Sequence, residues 1–263
     1  MADVNIQIAS EFVGKKAFKE AETATQKLTK STKSLGRSLG IAFGTAAILS
    51  YAKSSVRAAA EAQAQQQRLA QLLKVTVQAS DAQIDSLNSQ AEALEKLGVV
   101  SKGNITQVQS QLATFDLQTE TIKRLTPAIL DYVTAEKGAS ASTAEFKALT
   151  NGLAQALAGN FSSLTKSGFV IDGVTREIIK NGSEASKTKA IVQVLDSTYK
   201  GFNESLRDTP VGKLQALNNA ANDAKETIGQ GLFDALANTG GGGVGGFAMF
   251  AKSIDIAAES LAM

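Results

Sequence analysis

A mainly α-helical, multi-helix bundle is the architecture that these 263 residues predict, and three observations carry it. Proline occurs only at Pro127 and Pro210, so few helices need be broken. Aromatic residues make up 5% of the chain and tryptophan is absent, so a core must be built from Ala, Leu, Ile and Val. Apolar residues then recur at spacings of three and four along segment after segment, which is the signature of amphipathic helices. Mean hydropathy is −0.04, too polar for a polytopic membrane protein. The 43% hydrophobic share is too high for a disordered chain.

The elements follow in order. Val4, Ile6 and Ile8 alternate with polar residues and predict one short N-terminal strand, which Gly14 ends. A lone strand is marginal in water, so it calls for a partner in another copy or another protein. From Lys15 to Gly36 the chain is rich in Lys, Thr, Ser and Ala. Phe18, Ala21, Thr25, Leu28, Thr32 and Leu35 give it a weak helical stripe, helical when packed or bound. Gly40 to Ala52 is the most hydrophobic stretch, at about 13 residues against the ~20 a membrane span needs. It reads as a buried helix or helix–helix contact, or as a segment anchored at a membrane interface by Lys33, Arg37, Lys53 and Arg57.

Ser54 to Leu97 is the clearest long helical stretch, with an interruption expected at Val75-Thr76-Val77 and a restart capped by Ser80 or Asp81. Ile84, Leu87, Ala91 and Leu94 form a short coiled-coil-like heptad stripe, and Gly98 closes it. Two more helices run through Ile105–Phe115 and from about Thr119 through Val133. Thr126-Pro127 is expected to begin a new helix there, because proline inside a helix removes a backbone bond. Ser142 or Thr143 caps the next helix, which Gly159-Asn160 ends. Phe169-Val170-Ile171, Asp172-Gly173 and Thr175–Ile179 together predict a small β-hairpin near 169–179. Ser183 or Ser186 opens a helix expected to run to Leu206, and Thr209-Pro210 breaks it. The last strong helix carries Val211, Leu214, Leu217, Ala221, Ala224, Ile228 and Leu232. Gly240–Gly246 is a flexible linker, and Phe247 to Met263 a short apolar helix. The organisation expected is 1–56 (strand, basic helix, apolar segment), 57–238 (helical domain), 239–246 (linker) and 247–263 (C-terminal helix).

Chemistry is excluded more than indicated. Cysteine and histidine are both absent, which removes disulfides, thiol nucleophiles, Cys/His zinc sites, Ser-His-Asp triads and histidine acid–base catalysis. The glycine run lacks the Lys-Ser/Thr pair of a phosphate loop. Carboxylates are scattered over helix faces. The expectation is a non-enzyme without cofactor or metal. Net charge is +2, but residues 1–75 carry 11 basic and 5 acidic residues and the remainder 16 and 20. The basic excess suits an anionic membrane, an acidic partner or a solvated face. Almost no aromatics are interleaved with it, which argues against specific nucleic-acid binding. The candidate basic contacts are Lys15, Lys19, Lys27, Lys30, Lys33 and Arg37. The candidate membrane or lumen contacts are Ile41, Phe43, Ile48, Leu49 and Tyr51.

Four motifs in order carry a resemblance. The strand Val4–Ile8 runs into the Phe18–Leu39 helix. The segment Gly36–Ala52 leads into Arg57-Ala58-Ala59-Ala60-Glu61-Ala62. Leu125-Thr126-Pro127-Ala128-Ile129-Leu130-Asp131 is followed by Leu157-Ala158-Gly159-Asn160 and Leu164-Thr165-Lys166-Ser167-Gly168. Thr209-Pro210-Val211-Gly212-Lys213-Leu214 precedes Ala224-Lys225-Glu226-Thr227-Ile228-Gly229. Over about residues 3–232 the chain resembles the N-terminal part of tail tape measure proteins of long-tailed bacteriophages. The resemblance implies a structural virion protein in the tail tube lumen that sets tail length and leaves at genome ejection. It also implies partners: the tail tube protein, tail assembly chaperones in the host cytoplasm, distal tail or baseplate proteins, further copies of the chain and the host membrane. As one continuous helix 263 residues reach at most roughly 400 Å. Either the tail is short, or the chain is one part of a longer ruler. The alternative from another class is a membrane-active helical module that helps penetrate the host envelope.

Overall fold

The computed structural model describes residues 45–166 and 168–237. The expected N-terminal strand, the basic segment, the glycine linker and the C-terminal helix lie outside those residues. Among the described residues there is no strand. The helices are α1 (Thr45–Thr76), α2 (Asp81–Leu97), α3 (Lys102–Ala113), α4 (Thr119–Lys137), α5 (Thr143–Leu157), α6 (Ser162–Lys166), α7 (Gly173–Asn181), α8 (Glu184–Tyr199), α9 (Phe202–Leu206) and α10 (Pro210–Ala237). The described chain divides into two compact units, one of residues 45–61 with 222–237, the other Ala62–Ala221.

Helix boundaries follow local chemistry. The interruption expected after α1 is present: Val77 and Ala79 both donate their N–H to the Leu73 carbonyl at 3.1 Å, and Gln78 takes a left-handed φ of 53°. Ser80 then caps α2 in a reciprocal box, accepting from Gln83 N–H while Gln83 Oε1 accepts from Ser80 N–H at 2.9 Å. Ser142 and Glu145 repeat the arrangement at α5. Ser101, Asp172 and Ser183 cap α3, α7 and α8.

In the larger unit α4 is central, packed against α2, α3, α5, α8 and α9. Its Ile122, Leu125, Ala128, Ile129, Leu130, Tyr132 and Val133 are all 0–4% exposed. The heptad-like residues of α2, Ile84, Leu87 and Ala91, are buried in this same core. Tyr132, Phe169 and Tyr199 stack as an aromatic trio with centroids 5.2–5.7 Å apart.

Three expectations are corrected. The hairpin near 169–179 is absent, and residues Gly173–Asn181 are helical. Asp172, read as half of a turn, is an N-cap whose Oδ1 accepts from Thr175 N–H at 2.7 Å. Pro127 does not begin a helix but lies inside α4. The carbonyl that proline leaves without a helical partner, that of Lys123, instead accepts from Gln90 Nε2 at 2.7 Å. The helix from Ser183 stops at Tyr199, and Phe202–Leu206 forms a separate turn of helix. The break is held by Asp131, which draws the N–H groups of Gly201 and Asn203 to itself.

In the smaller unit the contact is made of small residues. Ala52, Ser55, Val56 and Ala59 are buried along α1, and Gly229 is buried on α10. A Cβ at position 229 would run into the Ser55 carbonyl and the Ala59 methyl, so glycine sets how closely these backbones approach.

Candidate functional site

The sequence-derived contacts divide sharply. Lys15, Lys19, Lys27, Lys30, Lys33, Arg37, Ile41 and Phe43 lie outside the described residues. Ile48 and Leu49 belong to the first turns of α1, and Tyr51 follows them, 36% exposed. The small-residue contact begins one position later, at Ala52. Arg57, within the same stretch, is exposed and pairs with Glu61 at 2.8 Å.

The polar centre of the larger unit lies elsewhere, at the corner between α2 and α3. Gly98 ends α2, and a side chain there would occupy the space filled by the Asn203 amide. Asn203 Oδ1 accepts from Val99 N–H at 3.1 Å. Asn219 Nδ2, from α10, donates to the Val99 carbonyl at 2.9 Å. Arg207 Nη1 donates to the carbonyls of Gly98 at 2.8 Å and Glu95 at 3.3 Å. Glu95 in turn accepts from Lys102 N–H at 2.7 Å. Asp131 closes the cluster, accepting from Gly201 N–H at 2.8 Å and Asn203 N–H at 2.9 Å. Asn203 and Asn219 are each 3% exposed.

No family model matches the chain, and no curated protein or solved structure matches it either. Its chemistry is therefore read from these bonds alone. Burial pushes the Asp131 carboxyl above its ordinary range. The two backbone donors pull against that, and Asp196 and Glu204 nearby add to it. Each of its oxygens accepts from one main-chain N–H, so the carboxylate ties the corner between α8 and α9 to α4. The Tyr199 hydroxyl is raised by burial and by its bond to Glu136 at 3.0 Å.

Among the described residues no group of three or more carboxylates could hold a metal ion, and no helix is long and apolar enough to cross a membrane. A pocket of about 150 Å³ lies between α2 and the start of α4, lined by Gln83, Ser86, Leu87, Thr119, Glu120 and Lys123. The Lys123 ammonium donates to Ser86 Oγ at 2.8 Å. The pocket walls thus carry one lysine tied to a hydroxyl, together with the Glu120 carboxylate.

Sequence reasoning missed the Asp131–Asn203–Asn219–Arg207 cluster. Its members are 70 to 120 positions from the atoms they hold. No local pattern signals it: the buried positions of the last helix carry Gly212 and Asn219, while its apolar stripe lies elsewhere.

Proposed function

We propose that the chain is a structural protein of a bacteriophage tail, of the tape measure kind. It would occupy the tube lumen and serve as the object around which tube subunits assemble. The observation that carries this reading is the order of the four motifs along the chain. Supporting it, Leu157–Asn160 ends a helix, Thr209-Pro210 opens one, and Thr227-Ile228-Gly229 supplies the glycine of a close helix contact. Bonds made here serve position and packing, which fits an output of extent rather than turnover. Tube protein, assembly chaperones and distal tail proteins are the partners proposed, with the tube lumen and the host cytoplasm as the places where they meet.

The fold sets a condition on this reading. The compact unit Ala62–Ala221 holds roughly 160 residues. As a continuous helix that length would reach about 240 Å. As a globule it has a radius of gyration of about 15 Å. Length measurement therefore needs the unit to open in the tube, or to be done by other parts of the filament.

The test is tail length against deletion. Removing 28 residues from a helical stretch shortens tails by about 42 Å if those residues are extended in the tube. Micrographs of deletion phages showing full-length tails would remove the ruler role. The membrane-active alternative is tested separately: dye release from anionic liposomes that is lost on Ile48→Asp would favour it.

A further inference from the structure

We infer that residues 200–221, the α9 corner and the first part of α10, form a strap latched to its bundle by polar bonds, which releases as one unit while the bundle stays folded. The strap's ties to the bundle that the geometry makes plain are hydrogen bonds. Gly201 and Asn203 N–H donate to Asp131, Asn203 Oδ1 accepts from Val99, Arg207 donates to the carbonyls of Glu95 and Gly98, and Asn219 donates to Val99. Each such bond replaces a bond to water, so each nets far less than its gross strength, the charged Asp131 and Arg207 bonds more than the neutral amide ones.

Hydrophobic burial, which holds the rest of the unit, is turned the wrong way here. Val211, Leu214 and Leu217 are 60%, 68% and 67% exposed, whereas the buried positions of that stretch are Gly212, packed against Leu206 within the strap, and Asn219, bonded to Val99. Leu206 is the strap's apolar anchor, and it is only partly buried. Detaching the strap therefore returns few of its own apolar side chains to water, while detaching α4 would return seven side chains that are 0–4% exposed.

Two features make release concerted. The Asn203 amide fills the space above Gly98, so α9 cannot slide while that side chain is seated. Val99 is gripped from both sides, its N–H by α9 and its carbonyl by α10, so loosening either helix weakens the other's hold. Release frees the start of α10 and leaves the α4 core closed. The inference holds whether or not the chain acts in a tail.

The N–H groups of Val99, Gly201 and Asn203 report the latch directly, and those of Ile129, Leu130 and Val133 report the bundle. Amide hydrogen exchange on the full chain, followed by NMR, should show one common protection factor for the three latch amides, at least tenfold below that of the α4 amides. Asn219→Ala should lower protection at Gly201 and Asn203 severalfold, although Asn219 bonds to neither, and leave α4 unchanged. Latch amides that exchange together with α4, or three unrelated latch protection factors, would overturn the strap. So would an Asn219→Ala protein in which only Val99 responds. Should Asn219→Ala fail to fold, the unmodified protein's protection pattern decides the matter.

Discussion

A proline inside a packed helix leaves one carbonyl without its usual donor, and the free energy of burying that carbonyl has to be met from somewhere. At Pro127 it is met by Gln90, whose side-chain N–H reaches the Lys123 oxygen at 2.7 Å. The bond is partly buried, so Gln90→Ala should cost about 0.5–1.5 kcal/mol, the usual net worth of one hydrogen bond. Pro127→Ala restores a backbone donor to the same oxygen. The cost of Gln90→Ala should therefore shrink in the Pro127→Ala background, and additive losses in urea unfolding would show that the two residues are not coupled. Asp131 offers a second handle. Burial holds its folded pKa above the unfolded value near 3.9. The group therefore contributes stability that is fully present below the unfolded pKa and is lost as pH rises through the raised folded one. Relative to Asp131→Asn, the unmodified protein should be more favoured at pH 3 than at pH 7. A difference independent of pH would mean that the carboxyl is not perturbed.

Helices in this chain begin where a short polar side chain can satisfy the first free N–H groups, and these starts were readable. Ser80, Ser142 and Ser183 cap helices as their positions suggested. Ser142→Ala should cost about 1 kcal/mol in thermal or urea unfolding. Because Ser142 N–H and hydroxyl hold the Glu145 carboxyl below its ordinary range, the same change should let that pKa rise in an NMR titration. Glu145, Asp172 and Asp81 all have lowered folded pKa values, so their contributions are present above the unfolded pKa and fade as pH falls through the folded one. Helix interiors and ends were less legible. Asp172-Gly173 predicts a hairpin turn from its neighbours alone, yet the pair starts a helix whose Ile179 is fully buried in the core. The stop at Tyr199 is imposed by Asp131, 70 positions away from Gly201.

The division into two compact units carries its own prediction. Residues 62–221, expressed alone, should unfold in one cooperative transition and scatter with a radius of gyration of about 15 Å. A fragment that melts without cooperativity would show that its core depends on the neighbouring helices. The helical class, the ring-poor core and most helix starts could be read from the chain, since composition, periodicity and capping are local properties set within a few residues. Which face of the last helix turns inward could not be read. Leu214 and Leu217 form the apolar stripe that periodicity picks out, yet the buried positions are Gly212, which lies against Leu206, and Asn219, which bonds to Val99. Steric fit and hydrogen-bond pairing between distant segments prevail over hydrophobicity there, since the buried Val99 peptide takes its partners from Asn203 and Asn219. A one-dimensional pattern records how apolar a face is, whereas its surroundings depend on contacts between positions as much as 120 residues apart.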